Sequence, residues 1–437
     1  MTIEMGYRRR VATLGIGLAA MAAAACGSAG TSDSGSGGSS GALKTGPGID
    51  TSAKTITLGV LSPLSGPVAV IGKPLTKGQE TYFKAVNDAG GISGYKINLT
   101  EKDTQYNAQQ QVQQYNAIVD QVAFFAQSLG SPTTLAIQKS ADSGGILIGA
   151  ATQSSSWVTD KVMICVGNPY SIDVANGIEY IINKLGKTSA KIAIVYQNDE
   201  YGQDGLRGYK AALDKFKFND VGQVPFNATD TQFSSQIGTL KSAGAEYVFL
   251  VATPTTAGVV VGTGAAAKYL PTWMFQGPAW SEYLMTKDGT MAGTPTPIHD
   301  VLPGHVNILG YQPQWGDTTV SGMQQFLADH DKYAADQPPD YYYMYGYAMA
   351  EVEAAIIKKA IANNDLSRAG LLDAKLNLGQ VSLGGLLPDV NYTPALGPAS
   401  RSTGVTVVDA STPGFLKLVQ PFFEGDVAKG LTFTAGG

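Results

Sequence analysis

The sequence predicts an α/β fold of two doubly wound parallel sheets, each covered by helices on both faces. Three observations carry this. From Lys54 onward, short apolar runs with strand character alternate with stretches of helical periodicity. The alternation restarts at Lys191, which sets two such units in succession. At 437 residues, 44% of them hydrophobic, the chain is long and apolar enough for two cores of ordinary size.

The elements follow in order. Residues 55–61 form an apolar strand that stops at the Pro/Gly-rich loop 62–67. Leu75, Gln79, Tyr82, Phe83 and Val86 recur at helical spacing, and Ala89-Gly90-Gly91 ends that helix. Residues 95–99 alternate as a strand. Val112, Tyr115, Ile118, Val119 and Val122 make the next helical stripe. Buried strands at 124–126 and 145–148 flank a helix over 133–142, and the apolar run 162–166 is a further strand with Cys165 as a small core residue. In the second unit, strands fall at 191–196, 221–226, 247–251 and 273–275. Helices fall at 205–216 and along Phe233, Ile237 and Leu240.

In open parallel sheets, ligands bind beyond the carboxyl ends of the strands. The loops in that position are 62–67, 128–134, 149–156, 197–202, 252–256 and 276–280. They are rich in small, hydroxylic, amide and aromatic side chains, which suit hydrogen-bonded capture of a small molecule. Ser65 and Thr133 are candidate ligand contacts of this kind. The chemistry of an enzyme is hard to assemble. His299, His305 and His330 do not have metal-ligand spacing, and no nucleophile elbow or phosphate loop is present. No metal or cofactor is expected. Gly262-Thr263-Gly264-Ala265-Ala266-Ala267 fits a dinucleotide pattern but lies in a helical stretch, where close helix packing explains it. Asp103, Asp199 and Glu200 follow strands, as acids would, and as helix caps do. The run Tyr341-Tyr342-Tyr343-Met344-Tyr345-Gly346-Tyr347 follows a helix start at Pro338-Pro339-Asp340. It reads as a buried aromatic face or as part of a ligand mouth. A net charge of −5 offers no basic field for nucleic acid.

The first 53 residues are of another kind. Arg8-Arg9-Arg10, an apolar stretch of roughly 15 residues and Ala22-Ala23-Ala24-Ala25 make an export signal over 1–25, shorter than the ~20 residues of a membrane span. Cys26 at the cleavage point resembles the lipobox of bacterial lipoproteins, with Ala23 where that pattern has Leu. The alternative is an ordinary signal with an incidental cysteine. The arginines also admit twin-arginine export beside the general route. Residues 26–53 are the lipidated cysteine and a flexible Gly/Ser-rich tether, whose coil as far as Gly48 would reach roughly 25 Å. If Cys26 carries lipid, Cys165 has no partner for a disulfide.

Gly59-Val60-Leu61-Ser62-Pro63-Leu64-Ser65-Gly66-Pro67, then Gly72, Ala89-Gly90-Gly91-Ile92-Ser93-Gly94, Asp103-Thr104 and Asn198-Asp199-Glu200-Tyr201-Gly202 resemble the leucine/isoleucine/valine-binding proteins. These are solute receptors of bacterial ABC importers, with the type I periplasmic-binding-protein fold. The resemblance implies two lobes, 54–168 with 309–402 and 169–308 with 403–437, joined by a multi-strand hinge that closes on a ligand. It also implies an ABC permease partner. It places Ser131, Ala150 and Thr152 at the ligand carboxylate, Ile71 beside the ligand side chain, and Tyr201 on the second lobe. Two positions depart from the family. Ala279 stands where an acid would meet an α-ammonium, and Thr253 where a tyrosine would be. A buried ammonium without its carboxylate is costly. Ile71 and Trp280 therefore point to an apolar or aromatic carboxylate or amide, while Asp199 could serve an amino acid from another loop. A sensor of the same fold and a secreted α/β enzyme are the alternatives. Replacing Cys26 by Ala is expected to move the chain from the membrane fraction to the soluble fraction, read by immunoblotting of fractionated cells. A variant that stays with the membranes contradicts acylation at Cys26.

Overall fold

The structure, a computed structural model, describes residues 43–434. The signal segment 1–25, Cys26 and the tether as far as residue 42 lie outside the described residues. Within them, the tether region is already part of the fold. Lys44–Thr45 pairs in parallel with Asp365–Leu366, and Ile49–Asp50 pairs antiparallel with the start of Thr55–Ser62. Leu43 and Ile49 explain this, because both pack against the hydrophobic core.

Two sheets organise the molecule. In the first, the order is Ile49–Asp50, Thr55–Ser62, Phe125–Leu129, Ile148–Ala151 and Met163–Ile164, with Lys96–Asp103 along the other side of Thr55–Ser62. Its long strands are parallel; Thr55–Ser62, Phe125–Leu129 and Ile148–Ala151 are almost wholly buried, as coverage on both faces requires, while the edge strand Lys96–Asp103 is mixed. In the second sheet, the order is Leu416–Phe423, Thr403–Val408, Val306–Gly310, Thr272–Gln276, Tyr247–Val251, Lys191–Gln197 and Asn219–Phe226. Its first two strands run antiparallel to the rest of the sheet or to each other. The chain passes between the cores three times. Residues up to Val166 pack with the first sheet, 170–309 with the second, 311–392 again with the first, and 405–431 with the second.

The helices cover the sheets much as the periodicity predicts. Ala69–Asp88, Ala108–Ile118 and Ser131–Gly144 belong to the first sheet, and Glu200–Phe216, Ser234–Ala243 and Pro254–Ala266 to the second. The glycines of the dinucleotide-like run lie inside Pro254–Ala266, where a Cβ at Gly264 would stand 2.9 Å from Tyr269 O. Close packing accounts for Gly264, whereas a Cβ at Gly262 would meet only Ile298 Cγ2, at 3.4 Å. The tyrosine run opens the helix Tyr341–Ala362, with Asp340 Oδ1 accepting the Tyr342 and Tyr343 amides at 2.7 and 3.0 Å.

This long helix lies directly on Ala69–Asp88. A Cβ at Gly346 would be 2.0 Å from Leu75 O, and one at Gly78 would be 2.1 Å from Tyr343 O. Only glycine admits that backbone-to-backbone approach. Tyr347 meets Tyr82 edge-on at 5.1 Å and donates to Asp329 Oδ2 at 2.6 Å. Further along, Glu353 is fully buried and takes a 3.2 Å hydrogen bond from Gln79 Nε2. Burial holds its carboxyl well above the ordinary range.

Two outcomes follow from this packing. Gly346→Ala is expected to cost about 1–3 kcal/mol through overpacking, measured as a lower urea midpoint. An unchanged midpoint contradicts the contact. Glu353 stays protonated in the folded chain where the unfolded chain, near its ordinary value of 4.5, has ionised. The stability it contributes is therefore present at low pH and lost as pH rises above about 4.5. Glu353→Gln should flatten the decline of the urea midpoint between about pH 5 and pH 8 relative to the wild type. Parallel pH profiles in the two proteins would contradict this.

Candidate functional site

The strand ends of the two sheets flank a cleft of about 610 Å³, a volume that includes space open to solvent. Each part of its wall traces to a local cause. Val68, Ile71 and Leu75 come from the first turns of Ala69–Asp88 and the residue before it, and Leu129 from the end of its strand. Tyr341, Tyr342 and Tyr345 come from the first turns of Tyr341–Ala362. Tyr106 enters from the loop after Lys96–Asp103. Gln105 and Tyr106 both have left-handed backbone there, at φ 52° and 57°. Gly130 gives its ring room, since a Cβ at that position would stand 2.4 Å from Tyr106 Cε2.

One end of the cavity is a chain of hydroxyls. Ser131 Oγ and Thr152 Oγ1 are 2.5 Å apart, and Thr152 Oγ1 is 3.0 Å from the Tyr170 hydroxyl. Ser131 is the first residue of the helix Ser131–Gly144, so the positive end of that helix faces the same place. Gln153 adds an amide that bonds to the Tyr345 hydroxyl. Beside this chain, Tyr201 meets Tyr170 edge-on at 4.7 Å, with its hydroxyl 2.8 Å from Gln276 Oε1. Gln276 Nε2 in turn donates to Asp173 Oδ2 at 3.1 Å. Burial pushes the Asp173 carboxyl up to about 7, against hydrogen bonds from Asn168, Thr403 and Gln276 that pull it down.

Among the described residues, no charged side chain lines this cavity. The acids close to the strand ends are engaged elsewhere. Asp199 caps Glu200–Phe216, accepting the Tyr201 and Gly202 amides at 3.1 and 3.3 Å, so it does not supply the acid that an amino acid would need. Glu200 accepts from Ser154 Oγ at 2.6 Å and from Ser156 Oγ, and Asp204 accepts the Ser155 amide at 3.1 Å. These bonds join the loop after Ile148–Ala151 to the helix Glu200–Phe216 on the second sheet. Thr255 Oγ1 makes a similar link, donating to Pro67 O at 2.9 Å.

Ile71, Ser131, Thr152, Tyr201 and Thr253 come together in the cavity wall. Five other expected contacts do not. Ser65 Oγ donates to Asp103 Oδ2 at 2.6 Å and secures the loop that leads to Tyr106. Thr133 Oγ1 turns back to Leu129 O and Gly130 O, at 2.5 and 2.9 Å. Ala150 is buried within its strand, and the next residue, Ala151, takes the lining position. Ala279 and Trp280 are fully buried in the second sheet's core, where the apolar indole has more surface to pack against. Trp280 reaches the site only through its carbonyl, which accepts from the Tyr342 hydroxyl at 2.8 Å. Cys165 is half-buried, not a full core residue, and burial pushes its thiol up to about 12.

Gln153 lies in the expected loop 149–156, whereas sequence reasoning missed Tyr106, Tyr170 and Tyr311. Tyr170 and Tyr311 lie where the chain crosses between cores and carry no periodic signal. Tyr106 was obscured because its strand runs on to Asp103 through the polar residues Thr100, Glu101 and Lys102.

The family model for periplasmic binding proteins matches residues 55–412. The chain is 25% identical over 340 residues to Leu/Ile/Val-binding protein homolog 7 of Brucella abortus, a match that covers 73% of this chain and 84% of that relative. It is 29% identical over 198 residues to Leu/Ile/Val-binding protein homolog 3 of Brucella melitensis, covering 44% of this chain and 53% of the relative. Among solved structures, the fatty acid ABC transporter substrate-binding protein of Thermomonospora curvata superposes with a TM-score of 0.82 at 26% identity. That alignment covers 90% of this chain and 98% of the other.

Proposed function

Because the chain belongs to the periplasmic binding protein family, we propose that it captures a small amphipathic acid or amide with an apolar or aromatic body. Delivery is to an ABC permease at the outer face of the cytoplasmic membrane, where lipid on Cys26 would hold the chain. The observation that carries the ligand class is the charge-free cavity. It has a hydroxyl chain and a helix N-terminus at one end, and tyrosine and aliphatic side chains elsewhere.

A carboxylate suits the hydroxyl end, since a hydroxyl proton of Ser131, Thr152 or Tyr170 that is not spent within their own chain can turn toward it. A free α-amino acid would also bring an ammonium, and the wall offers no carboxylate to it. Burying that charge unpaired would cost several kcal/mol. The apolar wall rewards a hydrocarbon or aromatic body at roughly 25 cal/mol per Å² removed from water. The Thermomonospora curvata neighbour, named for fatty acids, supports this reading over the amino acids that other relatives are named for.

Capture proceeds by closure of the two lobes, 54–168 with 309–402 against 169–308 with 403–437. A ligand that touches both favours the closed state by its differential contacts. Ser131 and Thr152 would hold it from one lobe, Tyr201 and Thr253 from the other. The links from Glu200 to Ser154 and Ser156, and from Thr255 to Pro67, fit a closed arrangement.

Calorimetry with a matched pair separates the ligand classes. 4-Methylpentanoate has leucine's skeleton without the amino group, and it should bind at least tenfold more tightly than leucine. Tighter binding of leucine would overturn the ligand class. Ser131→Ala combined with Thr152→Val should weaken binding of the acid by about tenfold or more, through loss of its hydrogen-bond donors. Unchanged affinity would place the carboxylate elsewhere.

A further inference from the structure

One hydroxyl in the cavity wall keeps a free proton. Tyr345 and Gln153, 5% and 4% exposed, both line the cavity. Backbone groups hold the Gln153 amide at both ends. Its Nε2 donates to Ala150 O at 3.0 Å, and its Oε1 accepts the Gly167 amide at 3.2 Å. A carbonyl only accepts and a backbone N–H only donates, so the side-chain amide cannot turn over. The second N–H of Nε2 therefore goes to the Tyr345 hydroxyl, which has to accept it. The proton of that phenol is left over, and among the described residues no group takes it.

The neighbouring hydroxyl chain is poorer in donors than its three members suggest. Ser131, Thr152 and Tyr170 carry three protons and make two contacts among themselves, which occupy two of them. One remains for a ligand. A carboxylate has two oxygens, so this chain alone leaves one of them without a hydroxyl donor. Tyr345 lies close enough to supply it. Its partner Gln153 follows Thr152 directly in sequence, and Gln153 O accepts the Tyr170 amide at 2.9 Å, so both donors belong to one end of the cavity.

We propose, on the reading of this cavity as the ligand site, that Tyr345 is the second acid-binding donor, set by Gln153, and that it makes the receptor select a carboxylate over a carboxamide of the same shape. A carboxylate takes the free proton of the chain on one oxygen and that of Tyr345 on the other, in two charge-assisted bonds. The positive end of Ser131–Gly144 faces the same charge. A carboxamide has only one such oxygen. Its NH2 group would face whichever donor the carbonyl does not meet, and a buried proton would stay unpaired. Gln153 acts through Tyr345 and is a positioning residue. Because it presents an N–H, the phenol cannot donate to it and turns its own proton away.

Calorimetry on the full chain at about pH 8, where the acid is ionised, compares 4-methylpentanoate with 4-methylpentanamide. The wild type should bind the acid at least about tenfold more tightly. Tyr345→Phe removes one oxygen and keeps the ring, and the ratio should fall to about threefold or less. Gln153→Met removes the N–H that orients the phenol. It should lower the ratio by about threefold or more, and it should lower it no further when added to Tyr345→Phe. A merely structural role for Gln153 would weaken acid and amide alike and would add to the effect of Tyr345→Phe. Melting curves identify any variant that has not folded, and the remaining single variant then carries the test. An acid-to-amide ratio near one in the wild type, or a ratio unchanged in folded Tyr345→Phe, overturns the role of Tyr345 and leaves the cavity as the ligand site. A wild-type chain that binds neither compound overturns the ligand class itself, and the role of Tyr345 with it.

Discussion

The cavity depends on one contact: the helices Ala69–Asp88 and Tyr341–Ala362 touch backbone to backbone at Gly78 and Gly346. That approach sets the height at which both helices end over the strand tips. Ile71 and Leu75 stand one or two turns before Gly78, and Tyr341, Tyr342 and Tyr345 stand within two turns before Gly346. A helix of 3.6 residues per turn carries these side chains to the cavity edge only if the axes stay this close. A larger separation would lift the tyrosines from the aliphatic wall and open the space between them to water. The site is thus assembled by a packing decision made in the core, at residues that no ligand would touch.

The ionic groups near the cleft serve the frame, and the cavity itself is left neutral. Asp199 caps a helix, Glu200 and Asp204 hold the serine-rich loop 154–156, and Asp173 gathers Asn168, Thr403 and Gln276. Each carboxylate meets donors that offset the loss of water, which is the condition for burying one.

Much of the fold was legible because buried parallel strands are unbroken apolar runs. Residues 55–61, 191–196 and 247–251 need little else to be read as strands. Edge strands are harder. Lys96–Asp103 has one neighbour and keeps polar side chains along its second half, so its end, and Tyr106 beyond it, fell outside the reading. The antiparallel strands Thr403–Val408 and Leu416–Phe423 carry too weak a pattern to be separated from loop by periodicity. For the site, family positions located Ile71, Ser131, Thr152, Tyr201 and Thr253 in the wall. Composition could not distinguish an aromatic that faces a cavity from one that fills a core. Trp280 and Tyr342 lie close in space and both contribute polar atoms to one hydrogen bond, yet only Tyr342 lines the cavity.

The helix Tyr341–Ala362 serves both the cavity and the core. Its opening turns present three rings to the cavity, and Gly346 and Glu353 beyond them belong to the core. Cavity and core interleave within those turns, since Tyr343, which is buried in the core and meets Gly78 with its carbonyl, lies between Tyr342 and Tyr345. A change of ring at 342 or 345 is therefore felt at the helix contact as well as at the cavity, and the lining and the scaffold would have to change together.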